Sequence, residues 1–274
     1  RITMPELDPR VTAAACEAHD GFSPLNDSAL LVLERARKGE VWARQDGFAV
    51  LDDHDGTILV AVSPGARGKG LGTSLVAEAV EARPGHSVWA FRTLPAARAV
   101  ARKLGLRPAR ELLRMGRPLA GIVPVPAPTG YRILPFDPAD TEGVVDVNRV
   151  AFAHHPEQGR LTVDDFQALA RQPWFDAAGL LVAHHDDEVT GFHWTKRHDT
   201  TMGEVYVLAV HPDHGGAGLG RALLTAGLAH MHSVGCENVE LYVEASEERV
   251  VTLYATTGFR TLSTDTAYRP GGTP

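Results

Sequence analysis

Short apolar runs alternate with stretches of helical apolar spacing along the whole chain, and this alternation predicts two α/β domains. The predicted strands are Val41–Arg44, Phe48–Asp52, Thr57–Val62, Ser87–Phe91, Leu112–Gly116, Tyr131–Pro135, Leu180–His184, Glu188–Trp194, Glu204–Val210, Val239–Glu244 and Arg260–Ser263. The predicted helices are Ser28–Lys38, Leu71–Ala82, Pro95–Leu104, Ala139–Phe152, Leu219–Val234 and Glu247–Thr256.

A proline-rich segment separates the two sets of elements. Residues 118–130 carry four prolines and two glycines. Each proline fixes φ and lacks an amide donor, so that a helix or a central strand is disfavoured there. We therefore predict a linker at 118–130 between an N-terminal domain, 1–117, and a C-terminal domain, 131–274.

The two halves repeat the same junction. Leu59–Pro64 matches Val207–Pro212, and Gly70–Gly72 matches Gly218–Gly220, both 148 residues further along the chain. Two later junctions match at an offset of 153, ending with Leu104–Leu106 against Thr257–Phe259. Matches in the same order indicate that a whole domain is duplicated.

Composition and charge narrow the class of protein. The chain has 274 residues, of which 44% are hydrophobic and 22% charged, as in an ordinary globular protein. It has no apolar stretch of membrane-spanning length, and its two cysteines favour a cytoplasmic location. The net charge of -7 divides unevenly, with 17 Lys and Arg against 14 Asp and Glu in 1–130 but 10 against 20 in 131–274. We therefore expect neither nucleic acid nor a membrane as partner. The protein is also expected to be a monomer.

The repeated junction has the chemistry of a phosphate site. A buried strand runs into a glycine-rich turn that opens a helix, Val62-Ser-Pro-Gly-Ala-Arg-Gly-Lys-Gly-Leu-Gly72. Unsatisfied amides at a helix N-terminus attract anions, and glycines let a phosphate approach the backbone closely. A structural turn is the alternative for a single copy, but two copies in the same context favour a pyrophosphate cradle.

The turn Arg67–Gly72 resembles the Q/R-x-x-G-x-G/A motif of the GNAT-type N-acetyltransferases. The second copy, Gly215–Gly220, has Gly215 where Gln or Arg is usual. The resemblance implies two tandem GNAT domains, each a mixed central sheet flanked by helices (α+β within the α/β class), and acetyl-CoA as co-substrate. The coenzyme contacts that it implies are Val60, Ala61, Val62, Arg67, Gly68, Lys69, Gly70, Leu71, Gly72 and Thr73 in the first half, and Leu208, Ala209, Val210, Gly215, Gly216, Ala217, Gly218, Leu219, Gly220, Arg221, Glu247, Glu248, Arg249, Val250, Val251 and Thr252 in the second.

Four further segments narrow the resemblance. They are Asn148–Gly159, Gly191–Lys196, Gly203–Val207 and Thr264–Tyr268, which together resemble the actinobacterial mycothiol synthase family. That family transfers acetyl from acetyl-CoA to the cysteinyl amine of desacetylmycothiol, a thiol-bearing pseudo-disaccharide. The alternatives are an acetyltransferase with another small amine or a peptide N-terminus as acceptor, a non-catalytic acyl-CoA sensor, and a purely structural duplication.

Two residues are candidates for proton transfer. Glu204 begins the strand that enters the second turn, where a carboxylate would serve as general base; the alternative is a solvated residue at a strand end. Tyr254 could protonate the departing thiolate, or could be a core aromatic residue. The equivalent positions in the first half are Gly56 and Ala101, so we expect the N-terminal domain to be non-catalytic.

The acceptor carries hydroxyls and an amine, so carboxylates and a lysine would suit its pocket. The resemblance implies substrate contacts from Asp27, Glu157, Lys196, Glu204 and Tyr242. Asp27 could instead be a helix N-cap, and Glu157 and Lys196 could be solvated charges. The thirteen histidines show no familiar zinc spacing, so that we expect no metal.

Overall fold

The computed structural model describes residues 8–154 and 158–271. In this part of the chain the helices are α1 (Pro9–Asp20), α2 (Asp27–Leu33), α3 (Leu71–Ala82), α4 (Pro95–Lys103), α5 (Thr141–Ala151), α6 (Val163–Ala170), α7 (Leu219–Ser233) and α8 (Glu248–Thr256). The strands are β1 (Gly39–Arg44), β2 (Gly47–Asp52), β3 (Thr57–Val62), β4 (Ser87–Ala90), β5 (Leu106–Pro118), β6 (Tyr131–Pro135), β7 (Leu180–His185), β8 (Glu188–Arg197), β9 (Met202–Val210), β10 (Asn238–Glu244) and β11 (Arg260–Pro270). None of the helices described is long and apolar enough to cross a membrane.

The chain forms two compact units that are discontinuous in sequence. The first contains the described residues up to Leu113, together with Glu244–Ser246 and those from Ser263 onward. The second contains the described residues of Arg114–Val243 and Glu247–Leu262. The domain boundaries predicted at 117 and 131 remain predictions. The contacts between residues assign the described residues from Ser263 onward to the first unit.

In the first unit, β1, β2 and β3 form an antiparallel meander, and β4 lies parallel to β3. The second part of β11 completes this sheet, because Thr266–Tyr268 pairs antiparallel with Ala90–Val88. Helices α1 and α2 pack with Phe48 and Leu59 on one side of the sheet. Leu75 and Ala79 of α3 pack in a second cluster with Leu51 and Ile58. The sheet is therefore mixed and covered by helices on both faces.

The second unit repeats this plan. Strands β6 to β9 are antiparallel in chain order, and β10 lies parallel to β9. Helices α5 and α6 contribute Val144 and Phe166 to a core around Trp194. Leu219 and Leu223 of α7 pack in a separate cluster with Leu181 and Ala183. Tandem domains that each carry a mixed sheet between helices were the predicted fold class, and they are confirmed.

The apolar pattern predicted β3, β6 and α3 with their observed bounds. It placed a helix over Ser28–Lys38, which is wrong beyond Leu33, because positive φ at Arg35 ends helical continuity. It did not identify α1 or α6. Strand β5 was assigned only to Leu112–Gly116, but it runs from Leu106 to Pro118.

The proline-rich segment 118–130 contains no helix or strand after Pro118, as its composition indicates. It is nevertheless attached to the second unit. Leu119 is fully buried, and its N–H donates to the carbonyl of Glu237 at 2.8 Å. The N–H of Val125 donates to the hydroxyl of Thr225 at 2.9 Å. The segment therefore follows a defined path along its own unit.

Candidate functional site

The two glycine-rich turns have the same backbone conformation. Each unit has a 3₁₀ turn, Pro64–Ala66 or Pro212–His214, which is followed by one residue in an extended conformation. The glycine-rich residues come next, and then the helix begins. Gly68 and Gly70 have φ of 78° and 97°, and Gly216 and Gly218 have 86° and 87°. Positive φ at alternate residues turns successive amides towards one side, which is the geometry of an anion-binding nest. An ideal Cβ on any of these four glycines would meet nothing within 4 Å, so the space in front of each is open.

The strand that leads into each turn diverges from its parallel neighbour. The ladder between β9 and β10 covers three residue pairs and ends at Glu204 and Glu240, although β9 continues to Val210. The ladder between β3 and β4 ends at Ile58 and Val88, although β3 continues to Val62. Beyond these points one strand edge faces an opening, and main-chain groups of Leu208–Val210 and of Val60–Val62 lie at that edge.

A cavity of about 400 Å³ occupies the opening in the first unit. All but Lys69 of the coenzyme contacts predicted for this half line it. Its walls are otherwise mainly apolar, and they include Trp89 and Tyr268. A mainly apolar cavity whose lining includes the glycine-rich turn suits a pantetheine arm with an attached pyrophosphate.

The side chain of Arg67 already has partners. Its guanidinium donates to both carboxylate oxygens of Asp20, at 2.8 and 2.6 Å, and to the carbonyl of Val62 at 3.0 Å. The bond to Arg67 lowers the pKa of Asp20 to about 2. The Arg67 guanidinium is therefore already engaged within the protein, and the second turn has Gly215, without a side chain, at the equivalent position.

Glu204 lies at the last pair of the β9–β10 ladder, and its side chain is 14% exposed. Burial raises the pKa of its carboxyl group, and the charges of His198 and Lys196 oppose that rise. His198 Nε2 lies 2.7 Å from Glu204 Oε2. A partly buried carboxylate with a raised pKa is suited to accept a proton near neutral pH.

Lys196 is the cross-strand partner of Glu204, in the β8–β9 pair. Its Nζ lies over the ring of Trp174, 4.9 Å from the centroid, and 5.2 Å from the centroid of Tyr206. Cation–π contacts hold an ammonium group while leaving its N–H donors available. Of the predicted acceptor contacts, the structure thus brings Lys196 and Glu204 together at one place.

Tyr254 lies on α8 and is 5% exposed, with its ring 5.5 Å from that of Phe259. Burial raises the pKa of its phenol above the ordinary value. The phenol therefore stays protonated at neutral pH, as a proton donor must. Its packing against Phe259 also fits the core aromatic that the sequence allowed.

The remaining predicted residues lie in several places. Asp27 is the first residue of α2 and is exposed; the alternative role as N-cap is wrong, because Asn26 holds that position and accepts from the N–H of Ala29 at 2.9 Å. Tyr242 lies on β10 and is 46% exposed. Glu157 lies outside the described residues.

On the coenzyme side, Arg221 lies in the first turn of α7. It donates to the hydroxyls of Thr256 and Thr257, at 2.7 and 3.3 Å. Glu247 is the N-cap residue of α8, without a side-chain capping bond, and Glu248–Thr252 form the first turns of that helix. The predicted contacts on α7 and α8 thus belong to two helices that Arg221 links.

The duplicated positions differ as the sequence indicates. Gly56 lies in the turn before β3 with φ of 64°, and Ala101 is buried on α4. Neither has a group that can transfer a proton. The first unit therefore keeps the cradle and the opening but not the proposed proton-transfer chemistry.

Sequence reasoning did not identify several residues of these sites. Cys16 and Asp20 line the first cavity from α1, a helix that the apolar pattern did not reveal. Trp174 and His198 join Lys196 and Glu204 only through the packing of a loop and a hairpin. The one available signal was the unusual number of polar residues in 196–204. Among the described residues, no group of three or more His, Cys, Asp and Glu side chains is arranged to hold a metal ion.

Comparison with known proteins agrees with this geometry. The model of the acetyltransferase (GNAT) family matches residues 21–106 and again 150–259. A mycothiol acetyltransferase of Propionibacterium freudenreichii subsp. shermanii is 43% identical over 268 residues, which cover 93% of this chain and 86% of that protein. One from Catenulispora acidiphila is 41% identical and covers 95% and 93%.

Solved structures show the same fold at lower identity. A GCN5-related N-acetyltransferase from Sphaerobacter thermophilus has a TM-score of 0.67 at 23% identity, covering 97% of this chain and 93% of its own. A tandem GNAT protein from the clavulanic acid biosynthesis pathway has a TM-score of 0.63 at 17% identity, with 98% and 96% covered. With two GNAT matches, two cradles of one geometry and relatives above 40% identity over nearly the whole length, this chain belongs to the mycothiol acetyltransferase family of tandem GNAT acetyltransferases.

Proposed function

We propose that this protein transfers the acetyl group of acetyl-CoA to the cysteinyl amine of desacetylmycothiol, giving mycothiol and CoA. The observation that carries the proposal is the position of Glu204. A partly buried carboxylate with a raised pKa ends the β9–β10 ladder, on the strand that runs into the second glycine-rich turn. The names of the relatives at about 40% identity supply the acceptor.

Acetyl-CoA is held through main-chain groups. The nest at Gly215–Gly220 and the N-terminus of α7 receive the pyrophosphate, because their amides and the helix dipole favour negative charge. The pantetheine arm follows the unpaired edge of β9. The amide groups of the pantetheine arm can form hydrogen bonds with the main chain of Leu208–Val210, as a neighbouring β-strand would.

The amine must lose a proton before it can attack. Glu204 takes this proton, directly or through one water molecule, and the free amine attacks the thioester carbon. Lys196, held over Trp174, contributes hydrogen bonds to hydroxyls of the acceptor. Because Glu204 and Lys196 are cross-strand partners, one hairpin positions both groups.

The reaction also develops negative charge on the thioester oxygen and on the departing sulfur, and both need stabilisation. A main-chain N–H of β9 beyond Glu204 donates to the thioester oxygen as it becomes negative. Tyr254 donates its phenolic proton to the departing sulfur of CoA as the C–S bond breaks. The nitrogen loses its second proton as the intermediate collapses to the amide, and a proton returned through solvent restores the phenol.

The first unit binds acetyl-CoA without turning it over. Its cavity of about 400 Å³ and its cradle suit the coenzyme. Gly56 and Ala101 stand where the second unit has Glu204 and Tyr254. The unit thus lacks both groups that move protons.

The test compares acceptors and one substitution. Desacetylmycothiol is offered beside a panel of other amines and a peptide N-terminus, with products identified by mass spectrometry and CoA release measured. We expect efficient acetylation of desacetylmycothiol and a loss of about 10²- to 10⁴-fold in kcat/KM in Glu204→Gln. Glu188→Gln, an exposed carboxylate on β8, is the matched control.

Two results would contradict the proposal in different ways. Preference for another amine would overturn the acceptor while leaving an acetyltransferase. Tight coenzyme binding with no CoA release for any amine would favour the sensor alternative instead.

A further inference from the structure

His198 lies in the loop between β8 and β9, and the loop holds its backbone firmly. The N–H of His198 donates to the carbonyl of Met202 at 3.0 Å. One carboxylate oxygen of Asp199 accepts from the N–H groups of Thr201 and Met202, at 2.7 and 2.8 Å. A loop closed by this Asx-type turn is rigid, so the position of the imidazole is set before any ligand arrives.

The imidazole connects the buried carboxylate with solvent. Nε2 lies 2.7 Å from Glu204 Oε2, and the two side chains are 39% and 14% exposed. His198 also lines a cavity of about 400 Å³, together with Trp174, Asp176, Arg197 and Asp199. The half-exposed imidazole thus contacts Glu204 and borders an opening in the surface.

Other charged groups act on the same carboxylate. Lys196 faces Glu204 from β8, and Glu240 faces it from β10, where Arg114 pairs with Glu240 at 2.7 Å. Asp199 and Arg197 flank the imidazole in the loop. Among these groups, His198 forms the ion-pair contact with Glu204, 2.7 Å between Nε2 and Oε2. The charge of Glu240 opposes that of Lys196 at the carboxylate.

We propose that His198 is a positioning residue for Glu204: its Nε2–H holds Oε2, so that Oε1 faces the amine of the acceptor, and its charge favours the ionised carboxylate. This role rests on the proposed function, in which Glu204 is the general base. His198 does not need to touch the acceptor. In the free enzyme the acid limb of kcat/KM reports the ionisation of Glu204.

The experiment measures pH profiles of kcat/KM for the full chain, for His198→Ala and for His198→Gln. Without His198, an interaction that lowers the pKa of Glu204 is lost while its burial remains. We therefore expect the acid limb of His198→Ala to move to higher pH, with kcat/KM on that limb about tenfold lower. The glutamine amide can donate to Oε2 but carries no charge, so His198→Gln should recover the plateau kcat while its acid limb stays shifted. His232→Ala, at an exposed histidine on α7, is the matched control.

A double-mutant cycle separates this role from a purely structural one. In the Glu204→Gln background, His198→Ala should have little further effect, because the group that it positions no longer accepts a proton. The same loss in both backgrounds, or an unshifted acid limb in His198→Ala, would overturn the proposal. If Glu204→Gln itself retains full activity, the assignment of the general base fails instead, and the two failures are thus distinguished. Thermal unfolding of each variant shows whether the fold is kept.

Discussion

The guanidinium of Arg67 and the carboxylate of Asp20 form a two-pronged ion pair, at 2.8 and 2.6 Å, that joins the end of α1 to the first glycine-rich turn. The carboxylate side chain is 9% exposed. The side chain of Arg67 thus stabilises the turn proposed to bind the coenzyme, and an ideal Cβ on Gly68 or Gly70 would meet nothing within 4 Å. The turn in the second unit, which lacks this arginine, has the same backbone conformation.

Replacement of Asp20 should destabilise the first unit. In Asp20→Asn the bonds between charged groups are lost and Arg67 keeps a partly buried charge, so we expect the free energy of unfolding to fall by about 2 kcal/mol. Chemical denaturation of the full chain measures this. Asp8→Asn, which removes an exposed ion pair with Arg10, is the control and should cost less than about 0.5 kcal/mol.

The same pair should make stability depend on pH in the acid range. The bond to Arg67 lowers the folded-state pKa of Asp20 to about 2, below its ordinary value of 3.8. The stabilisation is therefore present above pH 3.8 and is lost as the pH falls towards about 2. The difference between the wild type and Asp20→Asn should shrink over that window; a difference independent of pH would contradict the assignment.

The two cradles allow a matched pair of substitutions. Gly218→Ala places an L-residue at φ of 87°, which costs about 1–2 kcal/mol, and its Cβ enters the space proposed for the pyrophosphate. We expect kcat/KM for acetyl-CoA to fall about tenfold or more. Gly70→Ala, at φ of 97° in the first unit, should leave turnover unchanged and remove one equivalent of bound coenzyme in calorimetry. Equal loss of turnover in both variants would show that the first unit contributes to catalysis.

Removal of one oxygen atom tests Tyr254. Tyr254→Phe keeps the ring against Phe259 but removes the proton proposed for the thiolate. We expect kcat to fall about 10²-fold with little change in the KM for acetyl-CoA. Tyr268→Phe, a buried tyrosine of the first unit, is the control for loss of a phenol. Full kcat in Tyr254→Phe would leave Tyr254 as a core residue only.

His193 should make the second unit sensitive to acid. It is fully buried, Nδ1 lies 2.9 Å from the carbonyl of Leu223, and burial lowers its pKa to about 4. In the unfolded chain His193 binds a proton near its ordinary pKa of 6.5, whereas in the folded chain it does not. The stabilisation is therefore present above that pH and falls as the pH drops towards 4. The loss should reach about 3 kcal/mol by pH 4, measured by denaturation across the range. A flat profile between pH 6.5 and 4 would show that His193 protonates within the fold.

Local pattern was sufficient for several elements and for both glycine-rich turns. Period-two apolar runs predicted β3 and β6, and helical spacing predicted α3 with its observed bounds. The glycine spacing predicted both turns, because alternate positive φ values require residues without a Cβ. Helix α1 was not predicted, because its apolar positions are mostly alanines and its residues are on average less hydrophobic than those of α3.

The sequence by itself therefore determined the duplication, the two turns, the family and the candidate groups Glu204 and Tyr254. Only the tertiary structure decided that β11 completes the first sheet beside β4, that Arg67 forms an ion pair with Asp20, and that His198 contacts Glu204. Turns and helices depend on residues a few positions apart, which periodicity and glycine spacing record. The pairing of Tyr268 with Val88, or of Arg67 with Asp20, joins residues far apart in the chain, and no local pattern specifies such a partner before the strands and helices have packed.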